Sequence, residues 1–196
     1  MLQLERFVPA FFSQRLSVPR RILVVNGHPD PRPERFCAAL CEAYQDGAAT
    51  GGWEVRRLDV GKLALGKDPS MAHLNGDLDK ALEALTWATQ LLVVFPLWLE
   101  KPPPELAALF ALYHRRELDG ELPLASRLVH CVITMEMPAF LHRNAQPHKA
   151  GLLDVSAALP GMFRQEREYI GSIKTMSPWQ REDWLNTLRG YGLEAR

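Results

Sequence analysis

Apolar positions along the chain change their period at regular intervals. Residues 21–26, RILVVN, form an almost unbroken apolar and β-branched run, the pattern of a strand buried on both faces. Phe36, Leu40, Cys41, Tyr44 and Ala48 then recur at helical spacing. Pro33 is placed to open that helix, and Gly51-Gly52 to end it. Residues 53–60, WEVRRLDV, alternate as a more exposed strand, and 61–75 are irregular and polar. A helix is predicted over 76–88 on Leu78, Leu82, Leu85 and Trp87. The most strand-like run is 90–98, QLLVVFPLW, followed by three prolines at 102–104. Pro104 then opens a helix carrying Leu106, Leu109, Phe110 and Tyr113 inward. Residues 127–134, RLVHCVIT, read as a fourth strand, 149–159 as a helix, and 169–174 as a short fifth strand. Ser177-Pro178-Trp179-Gln180 has the form of a capping box, with Trp184, Leu185, Leu188 and Tyr191 on the inner face of the helix it starts.

Strand and helix thus alternate about five times. That order predicts an α/β protein: a doubly wound, five-stranded parallel sheet with helices on both faces. The expected organisation is one domain over residues 20–196, preceded by an N-terminal extension at 1–19. That extension has no apolar run long enough for a signal peptide, and no segment approaches a membrane span of about 20 apolar residues.

Composition narrows the function classes. Lys plus Arg and Asp plus Glu both count 23, so the formal net charge is zero, which argues against a general nucleic-acid binder. Three cysteines, Cys37, Cys41 and Cys131, form no CxxC pair and leave one over from any pairing. Neither a disulfide framework nor a metal site is expected, and a reducing, cytoplasmic compartment is the simple reading. Cys37 and Cys41 share one helix face and are read as buried.

Chemistry is sought in the loops at the carboxyl ends of the strands, where open parallel sheets bind ligands. Three of them are unusual: 27–35, 96–104 and 135–148. The first leads into a helix N-terminus, whose free N–H groups attract anions. Its prolines fix its path, and Arg32 and Arg35 supply positive charge for phosphate oxygens. The same residues also suit a rigid connector with solvated arginines. The loop is neither a GxGxxG fingerprint nor a GxxxxGK[ST] phosphate loop.

Gly27-His28-Pro29-Asp30-Pro31, with Phe36-Cys37-Ala38-Ala39-Leu40 after it, resembles the first loop and helix of the flavodoxin-like NAD(P)H dehydrogenase (quinone) family. Phe95-Pro96-Leu97-Trp98 resembles that family's second flavin loop, and Thr134-Met135-Glu136-Met137-Pro138-Ala139 its third. Glu168-Tyr169-Ile170-Gly171 resembles its late strand ending in Ile-Gly. The resemblance implies a flavodoxin-like fold and a flavin-dependent NAD(P)H:quinone oxidoreductase. Its cofactor would be a flavin, with FAD ahead of FMN on the resemblance alone, and NAD(P)H would be the co-substrate. NAD(P)H and a quinone-like acceptor would use the site in turn, in a ping-pong reaction. It further implies a homodimer. Carried over by position, His28, Arg32, Arg35, Phe36 and Cys37 lie by the flavin phosphates. Pro96, Leu97, Trp98 and Leu99 line the ring, and Thr134, Met135, Glu136 and Met137 meet its polar edge. His142 and His148 fall where the family places a tyrosine and a histidine that stabilise charge during the reaction. Both also suit surface positions in the polar run HRNAQPHK.

Two departures stand against the family pattern. Glu136 occupies a position usually held by glycine, and Glu100 one where a small residue is common. A carboxylate about 4 Å from an anionic ring costs about 4 kcal/mol at an effective dielectric of about 20. The alternative they support is a homologue with weakened or lost flavin binding, acting as a binding or regulatory subunit. A one-electron carrier is disfavoured, because the chain has neither a Ser/Thr-rich phosphate loop nor strong acidity.

Overall fold

A computed structural model describes residues 20–63, 76–98, 101–123, 128–140 and 164–196. The predicted helix at 149–159, the extension at 1–19, and Leu99, Glu100, His142 and His148 lie outside the described residues.

Five strands form one all-parallel sheet: β1 (Arg21–Asn26), β2 (Glu54–Asp59), β3 (Gln90–Pro96), β4 (Leu128–Thr134) and β5 (Arg164–Ile170). Their order is β2-β1-β3-β4-β5. Among the described residues four α-helices cover it: α1 (Phe36–Thr50), α2 (Gly76–Trp87), α3 (Pro104–Leu118) and α4 (Pro178–Glu194). The continuous apolar runs form the sheet's interior, and β3 is buried at every position.

Alternate residues of each central strand enter opposite cores. Ile22, Val24, Leu92, Val94 and Val132 pack under α1 and α4 with Leu40, Tyr44 and Leu188. Leu23, Val25, Leu91, Val93, Cys131 and Ile133 pack under α2 and α3 with Leu82, Leu85, Leu106 and Phe110. All three cysteines are free and buried.

Two elements differ from the sequence reading by more than two residues. Helix α1 begins at Phe36, not Pro33, because the Arg35 amide donates to the Arg32 carbonyl (3.1 Å) and closes a turn. Pro33 occupies the second place of that turn, where its fixed φ fits. Strand β5 runs over Arg164–Ile170 rather than 169–174. It is an edge strand, and Glu166 and Arg167 are exposed, so its polar residues hide the strand period. The capping box forms as expected: the Gln180 amide donates to Ser177 Oγ (3.3 Å), and the Ser177 amide donates to Gln180 Oε1 (2.9 Å).

Candidate functional site at the carboxyl end of the sheet

Strand order reverses between β1 and β3, so the loops leaving these strands diverge to opposite faces and open a crevice. Each strand end carries a polar or ring-bearing residue that shapes the crevice.

Asn26 ends β1 and is fully buried. It sits opposite Asp59 in the ladder and donates from Nδ2 to Asp59 Oδ1 (3.0 Å). Its own Oδ1 accepts from the His28 amide (3.2 Å). Asp59 also accepts from Arg57 (3.0 Å) and Lys62 (2.8 Å). Burial alone would raise the Asp59 carboxyl; the bonds from Lys62, Asn26 and Arg57 outweigh burial and hold it below its ordinary value. The first loop is pinned from below by this chain. It is pinned from the side at Gly61, where a Cβ would come within 2.3 Å of the Pro29 carbonyl oxygen. Asn26 and Asp59 were not singled out by motif. The signal for them was a polar residue closing an otherwise apolar strand.

His28 projects next. Its Nδ1 accepts from the Asp30 amide (3.0 Å), so the neutral ring carries its proton on Nε2. Burial and the Arg35 charge lower its pKa, against a smaller opposing pull from Asp30. The imidazole stands edge-on to Trp98 at the end of β3, with ring centroids 5.6 Å apart.

The second loop is short and closed. Leu97 donates to the Thr134 carbonyl (2.7 Å), and Trp98 and Lys101 exchange backbone bonds of 3.1 and 2.9 Å. Pro96 and Leu97 are buried, and Leu97 belongs to the core. Trp98 is 44% exposed and supplies this loop's ring surface.

In the third loop, Thr134 and Met135 are buried. The Met135 amide donates to the Ile170 carbonyl (2.9 Å), and the Ser172 amide to the Met137 carbonyl (3.0 Å). Gly171 is required here, since a Cβ would fall 2.2 Å from the Ala139 nitrogen. Glu136 and Met137, which follow, are exposed. Glu136 points outward and pairs with Lys174 at 2.7 Å; their side chains are 55% and 71% exposed. Among the described residues the only non-glycine positions with positive φ are Ser172 and Ala195, so Glu136 has no backbone need for glycine. The expected obstruction by Glu136 is therefore absent from this arrangement.

At the start of α1, Arg35 is the N-cap, no side chain caps the helix, and its first turn holds no acid. The Cys37 thiol is buried 3.4 Å from Thr134 Oγ1, and burial pushes it up to about 11, so it is no anion ligand. The Phe36 ring lies under the Arg181 guanidinium (4.9 Å). Arg32 and Arg35 are brought together, but on Asp30. Arg32 donates to both of its carboxylate oxygens (2.9 and 2.7 Å), and Arg35 Nε to Oδ2 (2.7 Å). These bonds hold the Asp30 carboxyl far below the usual carboxylate range. Among the described residues no group of three or more His, Cys, Asp or Glu is arranged to hold a metal ion.

The arrangement thus combines an uncapped helix end, a turn carrying two arginines paired to Asp30, a neutral imidazole donor and an exposed indole at one switch point. Comparison with known proteins places this geometry in a family. No curated protein matches the chain by sequence. Among solved structures, it is similar to an NAD(P)H:quinone oxidoreductase from Methanothermobacter marburgensis, at 15% identity and TM-score 0.67, covering 90% of this chain and 96% of that one. An NADPH-quinone reductase from P. pentosaceus gives 12% identity, TM-score 0.59 and coverage of 88% and 97%. An FMN-dependent NADH-azoreductase from Bacillus anthracis in complex with FMN gives 9%, 0.59, and 90% and 99%. At these identities the likeness is one of fold. A family model described as flavodoxin-like fold matches residues 20–165, and the chain belongs to that family.

Proposed function

We propose that this chain is a flavin-dependent NAD(P)H oxidoreductase acting on quinone-like acceptors. The observation that carries this reading is the His28–Trp98 pair beside the uncapped start of α1. It offers an anion seat and a planar apolar surface at the switch point of the sheet, where open α/β sheets bind ligands.

The residues fit FMN. A neighbour whose name specifies a bound cofactor holds FMN, which favours FMN over FAD. When bound, the flavin supplies two-electron chemistry between NAD(P)H and an acceptor. The protein's part is positioning. Phe36 and Cys37 offer backbone N–H groups at the helix start, and Arg32 and Arg35 offer charge to phosphate. Among the described residues nothing accepts from His28 Nε2–H, which can donate to a ligand. Trp98 and Met137 flank a planar group with apolar surface, both 44% exposed. His142 and His148, on the segment after the third loop, are proposed to stabilise charge on the reacting acceptor. NAD(P)H and acceptor take the same place in turn.

A homodimer follows the same reading. Trp98, Met137 and Phe140 leave apolar surface open at the carboxyl end of the sheet, and a second copy would cover it. Among the described residues no helix is long and apolar enough to cross a membrane. Three free, buried cysteines agree with work in the reducing cytoplasm. The outward Glu136–Lys174 pair removes Glu136 from the support for a flavin-free regulatory subunit; Glu100, its other support, lies outside the described residues.

The test is steady-state turnover of FMN-reconstituted protein with NADH or NADPH and a soluble benzoquinone. Parallel lines in double-reciprocal plots are expected. Absence of acceptor-dependent NAD(P)H oxidation with either nucleotide contradicts the assignment.

A further inference from the structure

The first loop carries its own anion. Asp30 is held by both guanidinium groups that face the start of α1, through Arg32 Nε and Nη2 and through Arg35 Nε and Nη2. The two arginines carry +2, and Asp30 and Glu34 bring the loop to a formal charge of zero; Asp30 is the acid bonded to both guanidinium groups. The carboxylate is also fixed by its own backbone: the Asp30 amide donates to His28 Nδ1 (3.0 Å), and its Oδ1 accepts from the Arg32 amide (3.2 Å).

The geometry points to Asp30 as a resident counter-anion that competes with a ligand's phosphate for Arg32 and Arg35, and so sets how strongly this site prefers phosphorylated over unphosphorylated ligands. This rests on the reading above that a phosphate-bearing flavin binds at the helix start. A phosphate entering here either draws the guanidinium groups off the carboxylate or sits beside a like charge; both weaken its binding. The two guanidinium groups hold the carboxyl far below the usual carboxylate range, so it is ionised near neutral pH. Both arginines are substantially exposed, at 66% and 44%, so each pair with Asp30 is weak individually and reversible.

Asp30→Asn removes the charge and keeps an oxygen for the Arg32 amide. FMN and riboflavin, which differ by the phosphate alone, are titrated against wild-type protein and this variant by flavin fluorescence quenching. Asp30→Ser, which also retains a local acceptor, serves as the second variant, and circular dichroism establishes that each is folded. The expected result is FMN binding tightened about five- to tenfold in both variants, with riboflavin affinity changed less than about twofold. Unchanged or weakened FMN binding with riboflavin unaffected overturns the role of Asp30 and leaves the flavin reading intact. If no protein binds either flavin, the flavin reading falls. Inorganic pyrophosphate then decides Asp30: a larger thermal shift in the variants than in wild type supports it, and equal shifts overturn it.

Discussion

The His28 imidazole meets the Trp98 indole edge-on, at 5.6 Å and an interplanar angle of 85°. One residue leaves β1 and the other leaves β3, the two strands between which the sheet reverses direction. The contact therefore bridges the crevice where a nucleotide is proposed to bind. Trp98→Ala removes the larger ring. FMN affinity is expected to fall about tenfold, the scale of one aromatic contact. The melting midpoint should move by no more than a few degrees, since the indole is half-exposed. Fluorescence titration alongside calorimetry checks both; a large loss of stability with unchanged affinity would make Trp98 a packing residue only.

His28 is expected to titrate below its ordinary 6.5, because burial and Arg35 disfavour the cation. The sign follows. A folded-state pKa below the unfolded one means that protons favour the unfolded chain. The His28 contribution is intact above about pH 6.5 and is lost as pH falls through the folded value. Proton NMR of the imidazole resonances gives the midpoint directly. A value above 6.5 would show that the Asp30 charge outweighs burial and Arg35.

Asp59 works at lower pH. Its folded pKa is depressed, so its stabilisation is complete above the unfolded value of about 3.9 and disappears as pH drops through the folded one. Melting curves from pH 6 to pH 3 should show Asp59→Asn less stable than wild type at pH 6 and the gap closing towards pH 3. A constant gap would remove the charge from the account and leave only shape.

Glu136→Gly should leave FMN affinity within about twofold of wild type, because the carboxylate already points to Lys174 and surface pairs are worth about 0–1 kcal/mol. Tightening by tenfold or more, read by fluorescence quenching, would mean that the carboxylate faces the ring in solution.

These residues also show what was legible in the chain. Strands β1, β3 and β4 announce themselves because burial on both faces demands unbroken apolar runs. Strand β5 does not: at the sheet edge Glu166 and Arg167 are solvated, and of Glu166 to Ile170 only Ile170 is buried. Helix α4 was readable from a local rule, since the Ser177–Gln180 reciprocal bonds involve residues three apart. The site was half legible. Its loops follow from topology, and Arg32 and Arg35 are visibly basic. That both arginines turn onto Asp30 depends on the path of a proline-rich turn, which composition does not fix. Glu136 shows the converse. Its replacement of a glycine suggested an intruding side chain, and only the position of Lys174, 38 residues later, turns it outward.

The most direct measurement is the visible absorption spectrum of the purified protein, before and after incubation with FMN and desalting. The account predicts flavin bands near one FMN per chain that bleach under anaerobic NADH or NADPH and return when a benzoquinone is added. Protein that stays colourless after incubation with FMN or FAD would contradict it.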